Sequence, residues 1–85
     1  YSLSQNYPNP FNPITNINFS IPLKGRVELI VYNALGEKSA ILVNEEMGEG
    51  QHVIAFDASG LPSGVYFYRI IAGEFNQTKK LILLK

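Results

Sequence analysis

Apolar residues in this chain recur at every second position in short blocks, and glycine, proline, asparagine or acidic residues interrupt each block before it reaches helical length. Successive side chains of an extended strand point to opposite faces, so this period describes half-buried β-strands rather than amphipathic helices. Six blocks read as strands. Residues 15–21 alternate through Ile17, Phe19 and Ile21, residues 26–32 through Val27, Leu29 and Val31, and residues 37–43 form a weaker block ending in Ile41, Leu42 and Val43. Residues 51–57 alternate through Ile54 and Phe56, Gly64–Ala72 through Tyr66, Tyr68 and Ile70, and residues 75–84 end with Leu81 and Leu83.

The connections carry turn chemistry. Asn33-Ala34-Leu35-Gly36 and Ala72-Gly73-Glu74 each place a glycine where a hairpin bend needs positive φ, so both predict tight antiparallel hairpins. The polar stretch Asn44-Glu45-Glu46-Met47-Gly48-Glu49-Gly50 predicts a longer link that crosses between sheets or forms a mobile loop. Its acids lack the alternation and tight glycine turn of a calcium loop, which makes them a solvated tip. Residues 4–13 hold Pro8, Pro10 and Pro13, each of which removes a backbone donor and keeps its predecessor extended. Residues 1–13 therefore predict an extended arm or edge strand, and residues 14–85 an all-β sandwich of antiparallel strands with Greek-key connections.

A chain of 85 residues with 46% hydrophobic content has room for one core. Folding at this size buries only about 60–65% of the unfolded surface, so a single domain is expected. Seven basic residues balance seven acidic ones, leaving no basic stripe for nucleic acid. There is no cysteine, so packing alone must hold the fold. The first residues lack the charged-then-apolar pattern of a signal peptide, so an exported precursor would carry its first signal in another segment.

The segment from Asp57 through Gly60, Leu61 and Gly64 to Tyr66 and Tyr68 should turn the chain from one sheet to the other. In immunoglobulin-like sandwiches a tyrosine near the start of the penultimate strand bonds its hydroxyl to backbone a few residues upstream. Tyr66 fits that role, with its partner expected within residues 57–61, and Tyr68 should supply core volume beside Phe19, Phe56 and Leu29.

Catalytic constellations are missing from the pattern. A lone His52 in strand alternation cannot furnish a zinc ligand set. No Gly-x-Ser-x-Gly elbow occurs, and Gly48-Glu49-Gly50 lacks the helix of a phosphate-binding turn. No enzyme activity, metal, cofactor or small-molecule substrate is expected. The outward positions of the strands are unusually apolar: Ile30, Tyr32, Val65, Phe67, Ile82 and Leu84, with Glu28, Arg69 and Lys80 interleaved. Monomeric domains seldom leave such a patch uncovered, so a neighbouring domain, a second copy or a receptor is expected there.

Four motifs in order complete the pattern. The arm carries Tyr7-Pro8-Asn9-Pro10-Phe11-Asn12, the first hairpin Tyr32-Asn33-Ala34-Leu35-Gly36, the corner Asp57 to Tyr68, and the end Lys79-Lys80-Leu81-Ile82-Leu83-Leu84-Lys85. Together they resemble the type A C-terminal sorting domain of the type IX secretion system, found mainly in Bacteroidetes, over essentially the whole chain. The resemblance implies a seven-stranded immunoglobulin-like sandwich whose seventh strand comes from the arm, and a natural C-terminus at Lys85. It also implies a non-catalytic address for an upstream passenger, which would cross the periplasm, meet the outer-membrane machinery and reach the cell surface or medium. In many members a sortase-like peptidase then removes the domain. Recognition is expected at Lys79, Lys80, Ile82, Leu83, Leu84 and Lys85, where an edge strand offers backbone groups and the charges set register. The alternative is a structural or adhesive immunoglobulin-like module, such as the related domain of flagellar hook-capping proteins.

Overall fold

The computed structural model describes residues 1–84 and places them in seven antiparallel strands and two sheets. The strands are β1 (Ser2–Leu3), β2 (Ile14–Ile21), β3 (Gly25–Asn33), β4 (Lys38–Met47), β5 (Gly50–Asp57), β6 (Gly64–Ala72) and β7 (Phe75–Leu83). One sheet has the order β1-β2-β5 and the other β4-β3-β6-β7. This is an immunoglobulin-like sandwich, and among the described residues there is no helix.

The period-two pattern sorts the side chains. Ile17, Phe19 and Phe56 from the smaller sheet meet Val27, Leu29, Val31, Tyr68, Ile70, Leu81 and Leu83 from the larger one in a single buried cluster. Both predicted hairpins form. Gly36 takes φ +85 and donates its N–H to the Asn33 carbonyl at 3.0 Å, while Asn33 Oδ1 accepts the N–H groups of Leu35 and Glu37. Gly73 takes φ +59 between β6 and β7.

The expected long link after Val43 is largely strand. Asn44 to Met47 continue β4, with Glu45 opposite Val27, Glu46 opposite Arg26 and Met47 opposite Gly25, and only Gly48 and Glu49 separate β4 from β5. Polarity had read as loop. An edge strand accommodates exposed charge, which also discourages pairing with other chains, and Glu46 pairs with Lys24 at 3.3 Å. The short link does cross between sheets, and the His52 ring donates to the Gly48 carbonyl at 2.7 Å and packs against Phe19.

The arm supplies the seventh strand, as the resemblance implied, but only through Ser2 and Leu3, which pair with Ser20 and Phe19. Its proline-rich remainder leaves the small sheet after Tyr7, which bridges Asn16, and reaches the large sheet at Phe11, which bridges Leu83 in parallel. The arm thus stitches the two sheets together along one side.

Candidate functional site

The site that the fold builds is this seam between arm and terminal strand. Two buried groups anchor the arm. The Phe11 ring, 2% exposed, packs against Phe56, with ring centroids 6.0 Å apart. Phe11 N–H donates to the Ile82 carbonyl at 3.0 Å, and Leu84 N–H donates to the Phe11 carbonyl at 2.9 Å. Asn6, also 2% exposed, is the second anchor. Its backbone N–H donates to Tyr68 Oη at 2.8 Å, and its side-chain amide donates to Thr15 Oγ1 at 3.0 Å and the Pro8 carbonyl at 3.1 Å.

Tyr68 ties this network to the core. Its fully buried hydroxyl accepts from Asn6 and donates to the Ser4 carbonyl at 2.7 Å. Burial pushes its pKa up to about 12, although the Asn6 bond pulls the other way. The expected core neighbours Phe19, Phe56 and Leu29 share its cluster. What the sequence pattern missed is the hydroxyl's role as the clasp of the arm, and Asn6 as its partner. An asparagine beside prolines normally signals an exposed turn, so no local cue pointed inward.

At the corner, Tyr66 Oη donates to the Pro62 carbonyl at 2.6 Å. The partner lies one residue beyond the expected stretch. β6 begins at Gly64, so the Pro62 carbonyl has no ladder partner and is available to the Tyr66 hydroxyl. Asp57 Oδ1 accepts the Ser59 N–H at 2.9 Å, and that bond, helped by the Ser59 hydroxyl, holds its carboxyl below the usual range. Gly64 sits at φ +150, and Gly60 and Leu61 complete the bend. Tyr66→Phe should cost about 1 kcal/mol, the usual net value of one hydrogen bond; an unchanged melting temperature would remove the corner from the stabilising contacts.

The residues expected to be recognised do not share one face. Strand alternation puts Lys80 and Ile82 on the outer face, opposite Phe67 and Val65, and turns Lys79 and Leu83 to the inner side, with Leu83 wholly buried. Leu84 is exposed, and Lys85 lies outside the described residues. On the outer face, Val65 is exposed, Tyr32, Phe67 and Ile82 are part-buried, and Ile30 is buried though outside the core cluster. Of the arm motif, Tyr7 is 80% exposed; Pro8, Asn9, Pro10 and Asn12 are also exposed. Asn9 nonetheless bonds the terminal strand, its Oδ1 accepting the Ile82 N–H at 2.9 Å.

Nothing in this seam arranges a nucleophile, an acid–base pair or a ligand cage, and every buried side-chain polar atom among the described residues has a partner. The sandwich is a β-module that presents a tail strand strapped by its own leading arm. Residues 5–84 match the model of the family described as the secretion system C-terminal sorting domain, and the chain belongs to that family. No curated protein matches the chain.

Proposed function

We propose that this domain is the non-catalytic address by which a passenger fused upstream of it is passed from the periplasm through the type IX outer-membrane machinery to the cell surface or medium. The observation that carries this reading is the family match over residues 5–84. The fold supports it: the inner face of β7 is committed to the core, while Lys80, Ile82 and Leu84 remain at the surface. In this reading Lys80, Ile82, Leu84 and Lys85 are read by the machinery, Lys79 and Leu83 hold the strand, and the domain is a substrate for a sortase-like peptidase. The apolar outer face around Tyr32, Val65 and Phe67 contacts a protein partner, whether passenger, receptor or second copy.

The test is a gain of transport. Tyr1–Lys85 is fused behind an inert reporter with its own inner-membrane signal, in a host that has the machinery. The reporter should appear on the surface or in the medium, and the unfused reporter should stay periplasmic. A folded fusion that remains periplasmic would overturn the reading.

A further inference from the structure

We propose that the outward edge of β7 from Asn76 to Ile82 is a docking site for an extended β-strand of the export machinery, and that Gln5 and Asn9 hold its place until that strand arrives. The proposal rests on the sorting function above and specifies how the tail is read.

The ladder between β6 and β7 runs without a register shift from the Gly64–Leu83 pair to the Ala72–Phe75 pair. In an antiparallel ladder each residue turns its N–H and C=O to the same side, and the side alternates along the strand. Ile82 shows which side is outward: its N–H goes to Asn9 Oδ1 at 2.9 Å and its carbonyl receives Phe11 N–H at 3.0 Å. Lys80, Thr78 and Asn76 therefore also aim their backbone groups away from β6. The Lys80 carbonyl is taken by Gln5 Nε2 at 2.7 Å, and the arm's hydrogen bonds to the strand end there, its Tyr1 ring meeting β7 again only at Phe75, below the Asn76–Ile82 edge.

The cap differs from a strand in its chemistry. Pro8 and Pro10 have no N–H to offer, so ahead of Phe11 the arm covers the edge with the side-chain amides of Gln5 and Asn9 rather than with backbone. Gln5 and Asn9 are both exposed, but Gln5 Nε2 also donates to Oδ1 of the buried Asn6 at 2.6 Å, so Asn9 is the amide that can move aside without disturbing the anchor. Phe11 is buried and stays, which ends the free edge at Ile82 and sets the register of whatever pairs there. A row of outward N–H and C=O groups is complementary to an extended backbone. A second copy is the poorer occupant, because pairing β7 with β7 brings the two Lys80 side chains onto one short edge and sets two arms against each other.

Proline provides the test, since at an outward-facing N–H it breaks no bond of the sheet yet denies one to an incoming strand. Thr78→Pro and, independently, Asn76→Pro are placed in the reporter fusion, and each purified domain is checked for a cooperative melt. A folded proline variant should show at least tenfold less reporter at the surface than the parent. The Asn9→Ala variant, which frees the Ile82 N–H without touching the Asn6 anchor, should reach the surface faster than the parent. Parent-level display of either folded proline variant overturns the inference, and so does an Asn9→Ala variant no faster than the parent. A parent domain that dimerises in sedimentation, and loses the dimer with Thr78→Pro, would overturn it by assigning the edge to a second copy. Failure of the unmodified fusion to be displayed would instead reject the sorting function itself.

Discussion

Phe11→Ala is expected to lower the stability of the domain by about 3–5 kcal/mol, the usual cost of removing a buried phenylalanine ring. For a chain of this size that corresponds to a fall on the order of 20 °C in melting temperature. Small domains hold only about 5–15 kcal/mol in total, so the variant should stand near the edge of folding. The effect has two sources. Phe11 fills core volume against Phe56, and its backbone pins Ile82 and Leu84 on the terminal strand. Phe11→Leu restores much of the volume and should recover most of the loss. Amide exchange separates the contributions: in Phe11→Ala the Ile82 and Leu84 amides should exchange faster than those deep in β6. A melting temperature within about 5 °C of the parent would mean that the arm is an ornament on a sandwich complete without it.

The sheets were legible because their signal is local. Of the strands that pack on two neighbours, β2 and β6 alternate cleanly and β3 does so apart from the buried Ile30 on its outer face, and Ile17, Leu29, Tyr68 and Ile70 fall inward as the period requires. The glycines of the two hairpins were legible for the same reason, since a positive φ is a demand on one residue. β4 was harder. It lies at the edge of its sheet with both faces partly wet, so its second half carries Asn44, Glu45 and Glu46 and imitates a loop. Only pairing with the far end of β3 makes it a strand, and that information lies about twenty residues away in the chain.

The seam was legible as a motif but not as a mechanism. Tyr7 to Asn12 stood out as a family signature, yet proline-rich sequence has no period from which to read facing. Phe11 and Asn6, both buried, are thus indistinguishable in pattern from Tyr7 and Asn9, both exposed. The lysines at positions 79 and 80 were read together as register-setting charges because they are adjacent in sequence. Strand alternation separates them, placing Lys80 outward and Lys79 inward beside Tyr68. The apparent free edge of β7 was likewise altered by a distant segment, since the arm caps its last residues.

Tyr68→Phe should cost about 2–4 kcal/mol although it removes a single oxygen. That hydroxyl is at once donor to the Ser4 carbonyl and acceptor from the Asn6 N–H, across separations of 64 and 62 residues. Its loss strands two backbone groups with little water to replace it, each at about 1–3 kcal/mol. The ring stays in the core, so the loss should fall on the arm, with the Asn6 amide exchanging early and the Ile70 amide nearly unaffected. Alkaline pH gives an independent readout. The folded-state pKa is raised from 10.0 to about 12, so the folded domain holds this proton more tightly than the unfolded chain does. The stabilisation is complete below about pH 10 and disappears as pH climbs through 12, because the phenolate can no longer donate to Ser4 and is costly to bury. Between those values the parent should lose stability more steeply than Tyr68→Phe, and the two melting curves should converge. If they stay parallel up to pH 12, the hydroxyl is not the clasp that fastens the arm to the sandwich.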